Sequence, residues 1–251
     1  MPGTRKATPR VLSSPEDALK RAMAAPSSRA RARYARQGLA TKASLDRTTQ
    51  AMLLRQLYLA HYEDRAFAKA RTVILQALEL GVLVDVLHQD AARASVGLGD
   101  VDDAVLHLRT AARVGPPSRR PFHLWTLGSI LFLEGRYDDA IVALTRAARW
   151  GTRDKPLYRA HLALARIAKG LTPRTKDLQE TIDELARVPA GQGYGRFVLG
   201  HLAYAAGAFP AATRYLRAFV DRIAEGRGLL RVSLEAELHM AERTLGKMRG
   251  N

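Results

Sequence analysis

The sequence predicts an all-α protein, a solenoid of stacked helix hairpins, and three observations predict it. A Gly-x-apolar-x-x-Ala segment recurs at Gly99, Gly135 and Gly207, each time followed four residues after the alanine by Leu108, Leu144 or Leu216. A small residue, Ala92, Gly128 or Gly200, stands seven positions before each of those glycines. The copies are separated by Gly115-Pro116-Pro117, by residues 151–156 and by residues 189–193, which have the composition and length of turns rather than of domain linkers.

Each observation has a steric reason. The loop glycine supplies the left-handed backbone that ends a first helix. The small residue upstream sits where two helices of a hairpin approach too closely for a larger side chain. The later alanine lets the second helix pack against the first, and apolar residues at Ala111, Ala147 and Phe219 continue its buried face.

From the N-terminus, residues 1–13 read as a disordered basic tail and 14–47 as an atypical N-terminal helical segment. Ser14-Pro15-Glu16-Asp17 is a helix-start signal: a serine cap, proline in the first turn, and acids beside the positive end of the dipole. A helix is expected over about 15–25, with a break at Pro26 and a second helix from Ser28 towards Gly38. The next opens at Asp46 and carries Leu53, Leu54, Leu57 and Tyr58 into a repeat array over 48–226. In 227–251, Leu230, Leu234, Leu238, Ala241 and Leu245 recur at helical spacing, as expected of an amphipathic helix that covers the open end of an array.

This constellation resembles the tetratricopeptide repeat family, with repeats at 51–84, 85–118, 121–154, 156 to about 190, and 193–226. The first departs from the pattern, with Arg65 where glycine is usual, although Phe67, Ala70, Ile74 and Ala77 keep the rest. The fourth has Gly170, but Pro173 delays its second helix to roughly 175–187. The resemblance implies a right-handed superhelix whose first helices line a concave groove. On this chain that face holds Arg55 and Gln56; Gln89, Asp90 and Arg93; Phe122, Trp125, Ser129 and Phe132; His161; and Tyr194, Phe197, His201 and Tyr204. Carboxylate-clamp members of the family grip peptide C-termini with a lysine, asparagine and arginine set. The corresponding positions here are Arg55, Leu59, Asp90, Phe122 and Thr126, so that specificity is not implied.

Composition narrows the function. Hydrophobic residues at 47% and charged residues at 25% allow a full core. The absence of cysteine excludes disulfides, thiolate chemistry and cysteine zinc sites. No phosphate loop, dinucleotide fingerprint, zincin motif or nucleophile elbow occurs, and the seven histidines lack paired metal-ligand spacing. The chain therefore reads as a non-enzyme with no cofactor and no metal. With no signal-peptide core and no apolar run that spans a bilayer, it is expected in the cytoplasm without a transmembrane segment. Arginine far exceeds lysine and alanine is abundant, a bacterial high-GC bias.

Two partner readings follow. An aromatic groove offers large contact area at low entropy cost, which suits a scaffold or adaptor that docks a partner protein or peptide. Alternatively, residues 1–47 carry 11 basic and 3 acidic residues, half of the net +16. Arg29, Arg33 and Arg36, with Arg31 nearby, form a basic stripe on the second helix that suits nucleic acid, an anionic membrane or an acidic protein, or serves solubility alone.

Overall fold

A computed structural model describes residues 14–41, 44–171, 173–226 and 228–249; the expected tail over 1–13 lies outside the described residues. The regular structure of those residues is helical, with no strand, and within each of the two units below the helices pack chiefly on their neighbours in sequence. The chain divides into two compact units, one ending at Leu83 and one beginning at Val84.

The first unit holds α1 (Pro15–Met23), α2 (Ser28–Leu39), α3 (Arg47–Glu63) and α4 (Phe67–Leu78). Ser14 caps α1 by accepting the Asp17 N–H at 3.2 Å, and Ser27 caps α2 by accepting that of Ala30. The Asp46 carboxylate accepts the N–H groups of Thr48 and Thr49 at the start of α3. Gly38 is a contact point: a Cβ placed there would stand 2.7 Å from Leu53 Cδ2 and 2.9 Å from the Ala18 Cβ, so α2 approaches both α1 and α3 closely. Arg31 is buried and donates to the Glu63 carboxylate, which removes it from the basic stripe.

The turn from α3 to α4 places Arg65 at φ 57°, in the left-handed region where the other hairpins have glycine. A side chain there is strained by roughly 1–2 kcal/mol. Arg65→Gly is therefore expected to raise the stability of this unit by about 1 kcal/mol, read as a higher urea midpoint at unchanged slope.

The second unit holds α5 (Val84–Gly97), α6 (Val101–Val114), α7 (Arg120–Leu133), α8 (Tyr137–Trp150), α9 (Lys155–Ala168), α10 (Thr175–Ala186), α11 (Gly195–Ala205), α12 (Phe209–Glu225), α13 (Gly228–Ser233) and α14 (Glu235–Arg249). Hairpins form from α5 with α6, α7 with α8, α9 with α10 and α11 with α12. The loop glycines Gly99, Gly135 and Gly207 have φ values of 78°, 72° and 74°, so each ends its helix in the conformation that only glycine adopts freely.

The notch is physical. A Cβ on Gly128 would lie 2.5 Å from Leu144 Cγ, and one on Gly200 would lie 2.5 Å from Leu216 Cγ. Both leucines are fully buried. The recurring glycine and the recurring leucine are therefore two halves of one contact. Successive hairpins are also joined on the surface: Arg136 pairs with Asp102, and Lys169 with Asp138. The acids that open α6 and α8 thus serve neighbouring repeats as well as the helix dipole.

The C-terminal segment departs from the single helix expected. It breaks at Leu234 into α13 and α14, and only α14 buries residues, setting Leu238, Ala241 and Leu245 in the core. Val232 and Ser233 are weak helix formers, and they end a short helix that no burial supports.

Candidate interaction surface

Of the predicted groove residues, Arg55 belongs to the first unit, where it is half-buried on α3. Gln56 beside it is buried, and the remainder lie in the second unit, where most of them meet in the interior. Phe132, His161, Phe197, His201, Ser129 and Gln89 are buried. The ring of Phe132 stands edge-on to His161 at 5.2 Å, and Phe197 meets His201 at 4.6 Å. Tyr204, half-buried, packs on Phe209 at 5.8 Å.

Tyr194 is the joint of this cluster. It precedes α11, yet its ring meets Trp125 of α7 at 4.9 Å and its hydroxyl lies 2.6 Å from the Ser129 hydroxyl. A residue from one hairpin thereby crosses to the hairpin two places earlier, and the inner helix faces are closed over one another. The Trp125 indole N–H donates to His161 Nδ1 at 3.2 Å, which places the His161 proton on Nε2. That nitrogen, and Nε2 of His201, have no hydrogen-bond partner among the described residues.

Burial perturbs the acidity of His161, His201 and Glu237. Burial first, and then the neighbouring His201, pushes His161 down to about 3. Burial alone pushes His201 down to about 4. On α14, burial raises Glu237 to about 7, against the opposing effects of its own backbone N–H, of the Tyr194 hydroxyl, and of Arg93. Glu237 is absent from the sequence-predicted site; a glutamate in an amphipathic end helix reads as solvated unless its position on the wheel beside Leu238 and Ala241 is noticed.

Gln89 is occupied otherwise. Its Oε1 lies 2.6 Å from His123 Nδ1, while His123 Nε2 sits 3.0 Å from Asp85, which also holds Arg119 at 2.8 Å. This tie clamps α5 to the start of α7. Arg93 stays near Asp90 at 3.4 Å with its side chain partly exposed. What the inner faces leave open is chiefly Phe122, 38% exposed, with the half-buried Trp125 beside it at 5.7 Å.

In the first unit, Arg29, Arg33 and Arg36 stand exposed along one side of α2, with the Arg33 guanidinium 4.7 Å from the Tyr34 ring centroid. No group of three or more His, Asp or Glu among the described residues is arranged to hold a metal ion, and no described helix is long and apolar enough to cross a membrane.

A surface that sequence reasoning missed lies on the second helices. Leu106 and Val142, 62% and 57% exposed, occupy equivalent positions of α6 and α8, as do Val114 and Trp150, 48% and 47% exposed. The signal was present in the sequence: apolar residues repeat at one spacing on faces that otherwise carry arginine. Against protein-family models and against curated proteins, the chain finds no match.

Proposed function

We propose that the chain is a non-enzymatic scaffold of the tetratricopeptide type, a right-handed α-solenoid that docks a partner protein or peptide on its first-helix face. The repeated glycine and leucine contact supports the repeat reading. The observation that carries the docking reading is the Phe122 and Trp125 pair. One ring is exposed, and the other is held rigid beneath it by His161 and Tyr194. A pre-oriented aromatic anchor loses little freedom on binding, which is the property that makes such residues dominate interface energies.

The test compares wild type with Phe122→Glu in affinity capture from native lysate, followed by mass spectrometry of the retained material. Phe122 is exposed, so the variant is expected to melt as wild type does while the affinity for its principal protein partner falls about thirtyfold or more. An unchanged set of captured proteins would remove the anchor from the interface. A second reading has its own observation, the three exposed arginines on one side of α2. If nucleic acid is the ligand, binding weakens steeply as salt rises, and charge reversal of Arg29, Arg33 and Arg36 removes it.

A further inference from the structure

The outer faces of α6 and α8 flank a trough of about 520 Å³ floored by Leu124, Leu127 and Leu131 of α7. Two stripes run along it. On α6, Arg109 and Arg113 stand one turn apart; on α8, Val142, Arg146 and Trp150 stand at successive turns. The α8 stripe extends roughly two helical turns, about 12 Å. Arg109, Arg113 and Arg146 form no ion pair among the described residues, whereas Asp139, the acid at the rim, is already engaged by Arg136 at 2.8 Å. The trough therefore combines uncompensated positive charge with an apolar base and an exposed indole.

We infer that this trough is a docking site for an acidic amphipathic helix of a partner protein, distinct from the inner face that carries Phe122. The apolar base takes the helix's leucine stripe, in the manner of a helix laid in a groove. The arginines meet carboxylates on its flanks, with the fork geometry that suits bidentate pairing. A trough this open encloses a small ligand poorly, whereas a helix lies along its α8 stripe. A nucleic-acid strand would use the arginines and leave the exposed Val142 surface wet.

The probe is a fluorescein-labelled peptide of about 18 residues, built from Glu and Leu with leucines at i, i+3, i+4 and i+7, set against a scrambled peptide of the same composition. Anisotropy with the full chain is expected to show the amphipathic peptide binding at least tenfold more tightly than the scramble. Trp150 emission should shift on binding, and the shift should disappear in Trp150→Phe. Arg109→Glu with Arg146→Glu, both exposed and so expected to leave the melting temperature unchanged, should weaken binding at least tenfold, while Phe122→Glu leaves it intact. Equal binding of the scramble, or displacement of the peptide by a single-stranded oligonucleotide of equal charge, would overturn the inference. So would a dimeric chain that the double charge reversal converts to monomer, since the trough would then belong to a second copy.

Discussion

Gly200→Ala is expected to destabilise the protein by about 1–3 kcal/mol in the native sequence, and to stabilise it by about 1 kcal/mol once Leu216 is cut back to alanine. The sign changes because two effects compete at one position. In a helix interior alanine outranks glycine, since it restricts the unfolded chain and shields the backbone. Against that gain, the new Cβ would stand 2.5 Å from both Cγ and Cδ2 of Leu216 and 3.3 Å from its backbone N, in a contact with no free volume. Removing the leucine side chain alone should cost about 2–5 kcal/mol through lost burial and the cavity left behind. In that background the methyl group fills space instead of colliding. A double-mutant cycle read from urea denaturation isolates the coupling. If Gly200→Ala costs the same with and without Leu216, the notch is not what sets the spacing of α11 and α12. The cycle at Gly128 and Leu144 should follow the same course. In the α5 and α6 hairpin Ala92 already carries a Cβ against the buried Leu108 face, so that hairpin tolerates what the other two exclude.

This contact also shows why so much of the fold was legible. A glycine notch, a leucine sixteen positions later and a left-handed loop glycine between them are local, periodic and chemically stringent. The helix that opens after Ser14, the break before Ser28 and the start at Asp46 are written in cap chemistry of the same local kind. The delayed α10 follows likewise from Pro173, which excludes the helix that Gly170 would otherwise begin. The arrangement of the aromatic residues was not legible, because it depends on curvature. Whether first helices line an open groove or fold over one another is settled by contacts between hairpins two places apart, such as that of Tyr194 with Trp125 and Ser129. No local pattern encodes that distance. The burial of Phe132, His161, Phe197 and His201 is the consequence. Arg31 illustrates the same limit on a smaller scale: on a helix wheel it neighbours the exposed stripe, yet Glu63 from α3 draws it inward.

The buried titratable groups make stability depend on pH in two opposing ways, and the expected maximum lies near pH 6.5. His161 and His201 are neutral in the folded protein, with values of about 3 and about 4, while in the unfolded chain they titrate near 6.5. Their depressed values mean that the unfolded state takes up protons first. The stability they permit is present above pH 6.5 and is lost as pH falls towards 4. Two such groups remove on the order of 5 kcal/mol between pH 6.5 and 4.5. Glu237 acts in the other direction. Its folded value of about 7 lies above that of an ordinary carboxyl, so the folded state holds the proton and stability declines as pH rises from about 4.5 to 7. The histidines outweigh it below pH 6.5; just above that the effect of Glu237 remains. Glu237→Gln keeps a neutral polar side chain of the same size but cannot ionise. Its melting temperature relative to wild type should therefore rise between pH 5 and pH 8, by the equivalent of about 3 kcal/mol. His161→Gln should in turn lessen the acid loss without altering the change above pH 6.5. A difference between Glu237→Gln and wild type that stays constant across that range would show that this carboxyl does not titrate inside the fold.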